Sequence, residues 1–181
     1  LKRSHEWASE NTSEFGTTSE LTTAAEAKLT AKKLSGSFEA GSSIANNERG
    51  LAKTNSVSAD ASLDKDSLEA SVGRSEKRVN NGATASESQK ASMKLGEQTS
   101  ATYTTASAEQ AADGSGSSSE RTRELVYGDG DLQYVRSDTD RTEDEGGSFR
   151  EESTETELGT NGFKVVKAVE DGGKDSSTRN E

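Results

Sequence analysis

"RELVYGDGDLQYVRS", Arg123 to Ser137, sets two short runs of strand-type residues around Gly128-Asp129-Gly130-Asp131. Leu125, Val126 and Tyr127 lead in, and Leu132, Tyr134 and Val135 lead out. Glycine takes a positive φ without steric cost, so this Gly/Asp centre predicts a tight hairpin turn. Asp129 and Asp131 also invite a calcium reading. A calcium loop, however, gathers about six to eight oxygens, and repeat-type calcium motifs occur in tandem. A single "GDGD" fits the turn better.

A second hairpin follows downstream. "SFREESTETEL" (148–158) precedes "GTNG" (159–162) and "FKVVKAV" (163–169). Glu151, Glu155 and Glu157 are expected across from Lys164 and Lys167, as opposite-charge cross-strand pairs. Four strands between Glu124 and Val169 would form a small antiparallel sheet.

Upstream, the chain alternates with period two. One parity holds His5, Trp7, Ser9, Asn11, Ser13 and Phe15. Later runs place Phe38, Ala40, Ser42 and Ile44 together, then Val57, Ala59, Ala61 and Leu63. Next come Ala83, Ala85, Ala91, Met93 and Leu95, opposed by Thr84, Ser86, Ser88, Lys90, Ser92 and Lys94. Alternation puts the two sets on opposite faces of a strand. Gly16, Gly36, Asn46-Asn47, Gly50, Gly73 and Asn80-Asn81-Gly82 are the expected turns. Their irregular spacing gives no fixed repeat. Thr22–Leu34 reads two ways. Thr23 and Glu26 have capping-box spacing for a helix, while Leu21, Thr23, Ala25, Ala27, Leu29 and Ala31 alternate as a strand does.

Composition limits how such strands are held. Ser, Thr, Gly and Ala number 28, 19, 17 and 20 among 181 residues, and only 4% are aromatic. Ordering each residue costs about 1–2 kcal/mol of backbone entropy, and apolar burial returns roughly 25 cal/mol per Å². An isolated chain this poor in large apolar groups is not expected to offset that cost. The absence of Pro suits long uninterrupted strands, because Pro removes a ladder donor. The absence of Cys removes disulfides and thiolate metal sites.

Charge divides the chain. Residues 1–100 carry 13 Lys/Arg against 14 Asp/Glu, and residues 101–181 carry 9 against 19. Three regions are expected: a small-residue β-prone region over 1–111, a Ser/Gly-rich linker over 112–120, and an acidic region with two hairpins and a polar tail over 121–181.

Little else points to chemistry. "DTDRTEDEGGSFREE" (138–152) is a second calcium candidate, with Asp138 at its start. From Asp140, it sets Thr142, Asp144 and Glu151 at the third, fifth and twelfth positions of an EF-hand loop, but Glu145 stands where Gly is required. Weak, diffuse calcium binding by the acidic segment is the expectation. His5 is the only histidine, and no apolar pocket is available to raise a carboxylate pKa, so no enzyme and no cofactor are expected. A net charge of −11 disfavours nucleic acid. No run of about 18 apolar residues occurs, so no membrane span is expected. Leu1 in place of Met suggests a processed chain or a fragment. The dibasic pairs Lys2-Arg3 and Lys77-Arg78 are candidate processing sites, and Asn11-Thr12-Ser13 is a glycosylation sequon.

"SATYTTASAEQAADGSGSSSE" (100–120) and "NGFKVVKAV" (161–169) resemble in style secreted structural proteins: arthropod silks and glues, and barnacle cement proteins. The likeness is compositional and carries no site residues with it. Together these readings lead to an all-β fold of extended or stacked strands and hairpins, in a fibre-like or solenoid-like assembly, with a largely disordered monomer as the alternative. The expected function is a self-associating, secreted extracellular structural subunit whose partner is itself, with divalent cations as accessories. The alternatives are a disordered protectant chain and a β-solenoid adhesin or ice-binding module.

Overall fold

The computed structural model describes residues 2–12, 17–160 and 162–172. The all-β expectation holds: strands make up 83% of the described residues. They are β1 (Lys2–Thr12), β2 (Thr17–Leu29), β3 (Lys33–Asn46), β4 (Leu51–Asp64), β5 (Leu68–Asn80), β6 (Ala83–Leu95), β7 (Thr99–Gln110), β8 (Gly116–Gly128), β9 (Asp131–Glu143), β10 (Phe149–Gly159) and β11 (Gly162–Gly172). A single 3₁₀ turn, Asn47–Arg49, precedes β4.

Each strand pairs antiparallel with its neighbour in sequence, giving one open sheet in the order β1 to β11. Short links enforce this order, since the two- to five-residue connections of the described residues can only return the chain beside itself. Asp129 and Gly130 have φ of 52° and 80°, and Asn81 and Gly82 have 48° and 87°. These signs fit the two-residue turn whose twist matches paired strands. The GDGD centre is therefore the β8–β9 hairpin turn. Elsewhere side chains shape the links. The Asp64 carboxylate accepts from the Asp66 and Ser67 backbone N–H groups at 3.0 and 2.8 Å. Asp144 accepts from the Ser148 N–H at 2.9 Å.

The structure corrects two expected turns. Gly36 and Gly73 sit inside β3 and β5, where paired strands on both sides hold the backbone extended. Gly16 lies outside the described residues, as do Ser13, Phe15 and Asn161. Thr22–Leu29 is strand: its alternating set pairs with Gly41 to Leu34 of β3, so cross-strand contacts override helix propensity. Residues 112–115 form the β7–β8 turn, and 116–120 already belong to β8. Lys77-Arg78 lies inside β5.

Among the described residues no side chain is buried. The sheet is one layer thick, whereas a stable domain packs at least two layers around a core. Its order rests on the backbone ladder and on cross-strand side-chain pairs. Gly130→Ala tests the turn in isolation. No atom lies within 4 Å of an added Cβ there, so the cost comes from the positive φ alone. Urea denaturation should show a loss of about 1 kcal/mol, while Asp129→Gly should leave the midpoint nearly unchanged.

Candidate self-association surface

The register fixes which residues share a face. The parity sets seen in the sequence, Trp7, Phe38/Ile44, Val57/Leu63 and Met93/Leu95, all fall on one side of the sheet. Leu125, Tyr127, Leu132, Leu158, Phe163 and Val165 join them. Of the 21 exposed large apolar residues among those described, only Val166 lies on the other face.

This apolar set has internal order. Leu29 opposes Leu34, Leu34 opposes Leu63, Leu63 opposes Leu68, and Leu68 opposes Leu95, a leucine ladder along one rim. Four residues further in, large and small residues alternate across strands: Ala25, Phe38, Ala59, Val72, Ala91, Tyr103. Such a row presents knobs beside hollows, the relief that lets a second surface interdigitate.

Toward the opposite rim the same face turns ionic. Glu76 pairs with Lys53 at 3.0 Å and with Arg78. Asp138 accepts from Arg123 at 2.9 Å and Arg136 at 2.6 Å. Arg121 approaches Asp140 at 3.6 Å, and Arg150 meets Glu152 at 2.8 Å. From β5 to β10 this face is thus apolar at one end of the strands and charged at the other, while Leu21, Ile44 and Leu51 carry apolar side chains to the far end of β2 to β4.

The second face is polar, made largely of Ser, Thr, Glu and Lys. A trough of about 590 Å³ opens on it from β2 to β7, lined by Glu26, Lys33, Asp60, Glu69 and Lys94 with serines between them. Hydroxyl pairs such as Ser56–Ser75 at 2.8 Å and Thr104–Thr122 at 3.1 Å link its strands. Lys164 reaches Glu157 at 3.6 Å, as the sequence suggested, but Lys167 opposes Thr154 and Glu151 opposes Glu170.

The calcium candidates are dispersed. Asp129 and Asp131 lie at the β8–β9 turn, where Asp131 accepts from the Thr160 hydroxyl. Asp144 is at the opposite end of β9, engaged with its own loop. Asp138 and Asp140 project from one face of β9, while Glu151 opposes Arg141 on the other. Asp140 and Glu151 therefore do not converge on one ion. Among the described residues no group of three or more His, Asp or Glu forms a metal cluster. His5 is exposed on β1 opposite Ala25.

Partial burial pushes the Asp138 carboxyl upward, but hydrogen bonds from Arg123 and Arg136 outweigh it and hold it below its ordinary value. Lys53 and then Arg78 depress Glu76 in the same way. A depressed carboxylate contributes stability above its unfolded pKa and loses it as pH falls through the folded value. Acidification should therefore weaken the wild-type chain more steeply than Asp138→Asn. Their urea midpoints should differ near neutrality and converge below the ordinary aspartate range.

Comparison with family models, with curated proteins and with solved structures gave no match to this chain.

Proposed function

We propose that the chain is a structural, self-associating subunit of an extracellular fibre, glue or matrix, and that its apolar face is covered by the same face of a second copy. One observation carries this reading: a single-layer sheet with 20 large apolar side chains exposed on one side. Thirteen of these, from Leu29 to Leu158, form the band near the leucine ladder. At about half exposure they offer roughly 1,000 Å² per copy, against about 800 Å² per partner in a standard interface.

The height of the band favours a protein partner over lipid. From Leu63 to Ala59 it runs about 14 Å along the strand, short of the about 25 Å apolar belt of a membrane barrel. Charged residues such as Arg74 and Arg121 then follow on the same face. The extracellular setting follows from the compositional likeness to silks and cements. A net charge of −11 keeps free copies apart, and salt or calcium screens it.

Assembly should rise with ionic strength or calcium and should depend on the leucine ladder. Leu34→Lys with Leu63→Lys is expected to abolish assembly in light scattering and electron micrographs. Ser35→Lys with Ser62→Lys, one position along on the polar face, is expected to retain it. Equal assembly by both variants, or none by the wild type at high salt, would overturn this reading.

A further inference from the structure

The two edges of the sheet are unlike. β1 carries Arg3 and Glu6, charges of the kind that blunt an open edge. β11 reads GFKVVKAVEDG and is apolar on both sides: Phe163, Val165 and Val169 on the apolar face, Val166 and Ala168 on the polar one. Phe163 is 68% exposed and Val166, among the described residues the lone exposed large apolar one of the polar face, is 44% exposed. β11 pairs with β10 in unbroken register from Gly162 to Gly172, so no bulge turns its outer edge away. A long, regular, apolar edge of this kind is a template for another strand.

Symmetry limits what that strand can be. With eleven strands in alternating directions, β1 and β11 run the same way. A second copy laid head-to-tail, β11 to β1, with its apolar face on the same side would therefore make a parallel pair. An antiparallel join that keeps both apolar faces together needs a two-fold axis normal to the sheet, which brings β11 against β11.

We propose that two copies pair through β11, antiparallel, about an axis at Lys167. The pairing rests on the reading of the chain as a self-associating subunit and names the edge that joins copies. Lys167 is the midpoint of β11, so this register uses the whole strand. It sets Lys164 opposite Glu170 twice, Val165 opposite Val169 twice, and Val166 opposite Ala168 twice. Moving the axis to Val166 places Lys164 opposite Ala168 and Glu170 opposite Gly162. Moving it to Ala168 places them opposite Gly172 and Val166. Of the three, only the Lys167 register sets Lys164 against Glu170, while Asp171 falls opposite Phe163; opposite charges directly across a ladder are stabilising. The two Lys167 side chains meet at the axis, its one repulsive pair. The result is a 22-stranded sheet whose two apolar bands lie on the same side.

The chain has no Cys, so single cysteines report cleanly. Lys167→Cys places a thiol against itself at the axis, whereas Val169→Cys opposes Val165 and Ser4→Cys sits on the other edge. All three are placed in the full chain carrying Leu34→Lys and Leu63→Lys, which prevents stacking through the apolar face. After oxidation, non-reducing gels should show several-fold more disulfide dimer for Lys167→Cys than for the two controls. In sedimentation of the same Leu34→Lys, Leu63→Lys chain without a cysteine, Lys164→Glu should lower the dimer fraction, and adding Glu170→Lys should restore it. Equal crosslinking at all three positions, or no recovery in the double charge reversal, would overturn the β11 pairing. Because stacking is already blocked, neither result depends on whether the apolar face self-associates.

Discussion

Every strand is held by the antiparallel backbone ladder, and nothing beneath the ladder supports it. No described side chain is buried, so there is no core to fix one strand against a distant one. Order passes from strand to strand through local pairs, and each hairpin depends on the turn before it. Such a sheet is quasi-one-dimensional: contacts are local in sequence, loop-closure costs are small, and stability accumulates by neighbour. A single apolar layer still leaves the entropy of ordering poorly offset. The ladder therefore makes the fold possible, and covering its apolar face is what would make it durable.

Much of this was legible in the residues. The alternation of Phe38, Ala40, Ser42 and Ile44, or of Ala91, Met93 and Leu95, fixes both strand and face. Asn81-Gly82 and Asp129-Gly130 fix the tightest turns through their positive φ. Other features were hidden. Gly36 and Gly73 read as turn residues because a lone glycine carries no sign of the flanking strands that hold it. The link at 30–32 has little turn composition. Its geometry comes from a side chain closing on nearby backbone, with Thr30 accepting from the Lys33 N–H at 2.9 Å. The leucine ladder could not be seen either. Leu29, Leu34, Leu63, Leu68 and Leu95 look scattered until the register sets them in one row.

The faces divide the physical roles. The polar face links its strands through hydroxyl and ionic pairs that tolerate water. The other face separates an apolar band from a charged one, so a covering surface has only one orientation in which leucines meet leucines and Glu76 or Asp138 stay solvated. This polarity gives an assembly a defined alignment without a specific pocket. In the proposed assembly the acidic residues serve the same end, since their repulsion opposes random contact until it is screened. The dispersed Asp129, Asp131, Asp138, Asp140, Asp144 and Glu151 fit a diffuse counter-charge rather than a coordination shell.

The central claim is that a second copy supplies the layer this sheet lacks. Amide hydrogen exchange across β4 to β6, followed over a wide range of protein concentration at fixed salt, tests it most directly. The account predicts protection that climbs with concentration and fades on dilution, because the covered face stabilises the ladder by mass action. Strong protection that stays constant at high dilution would contradict it, showing a sheet that holds itself together as a single layer.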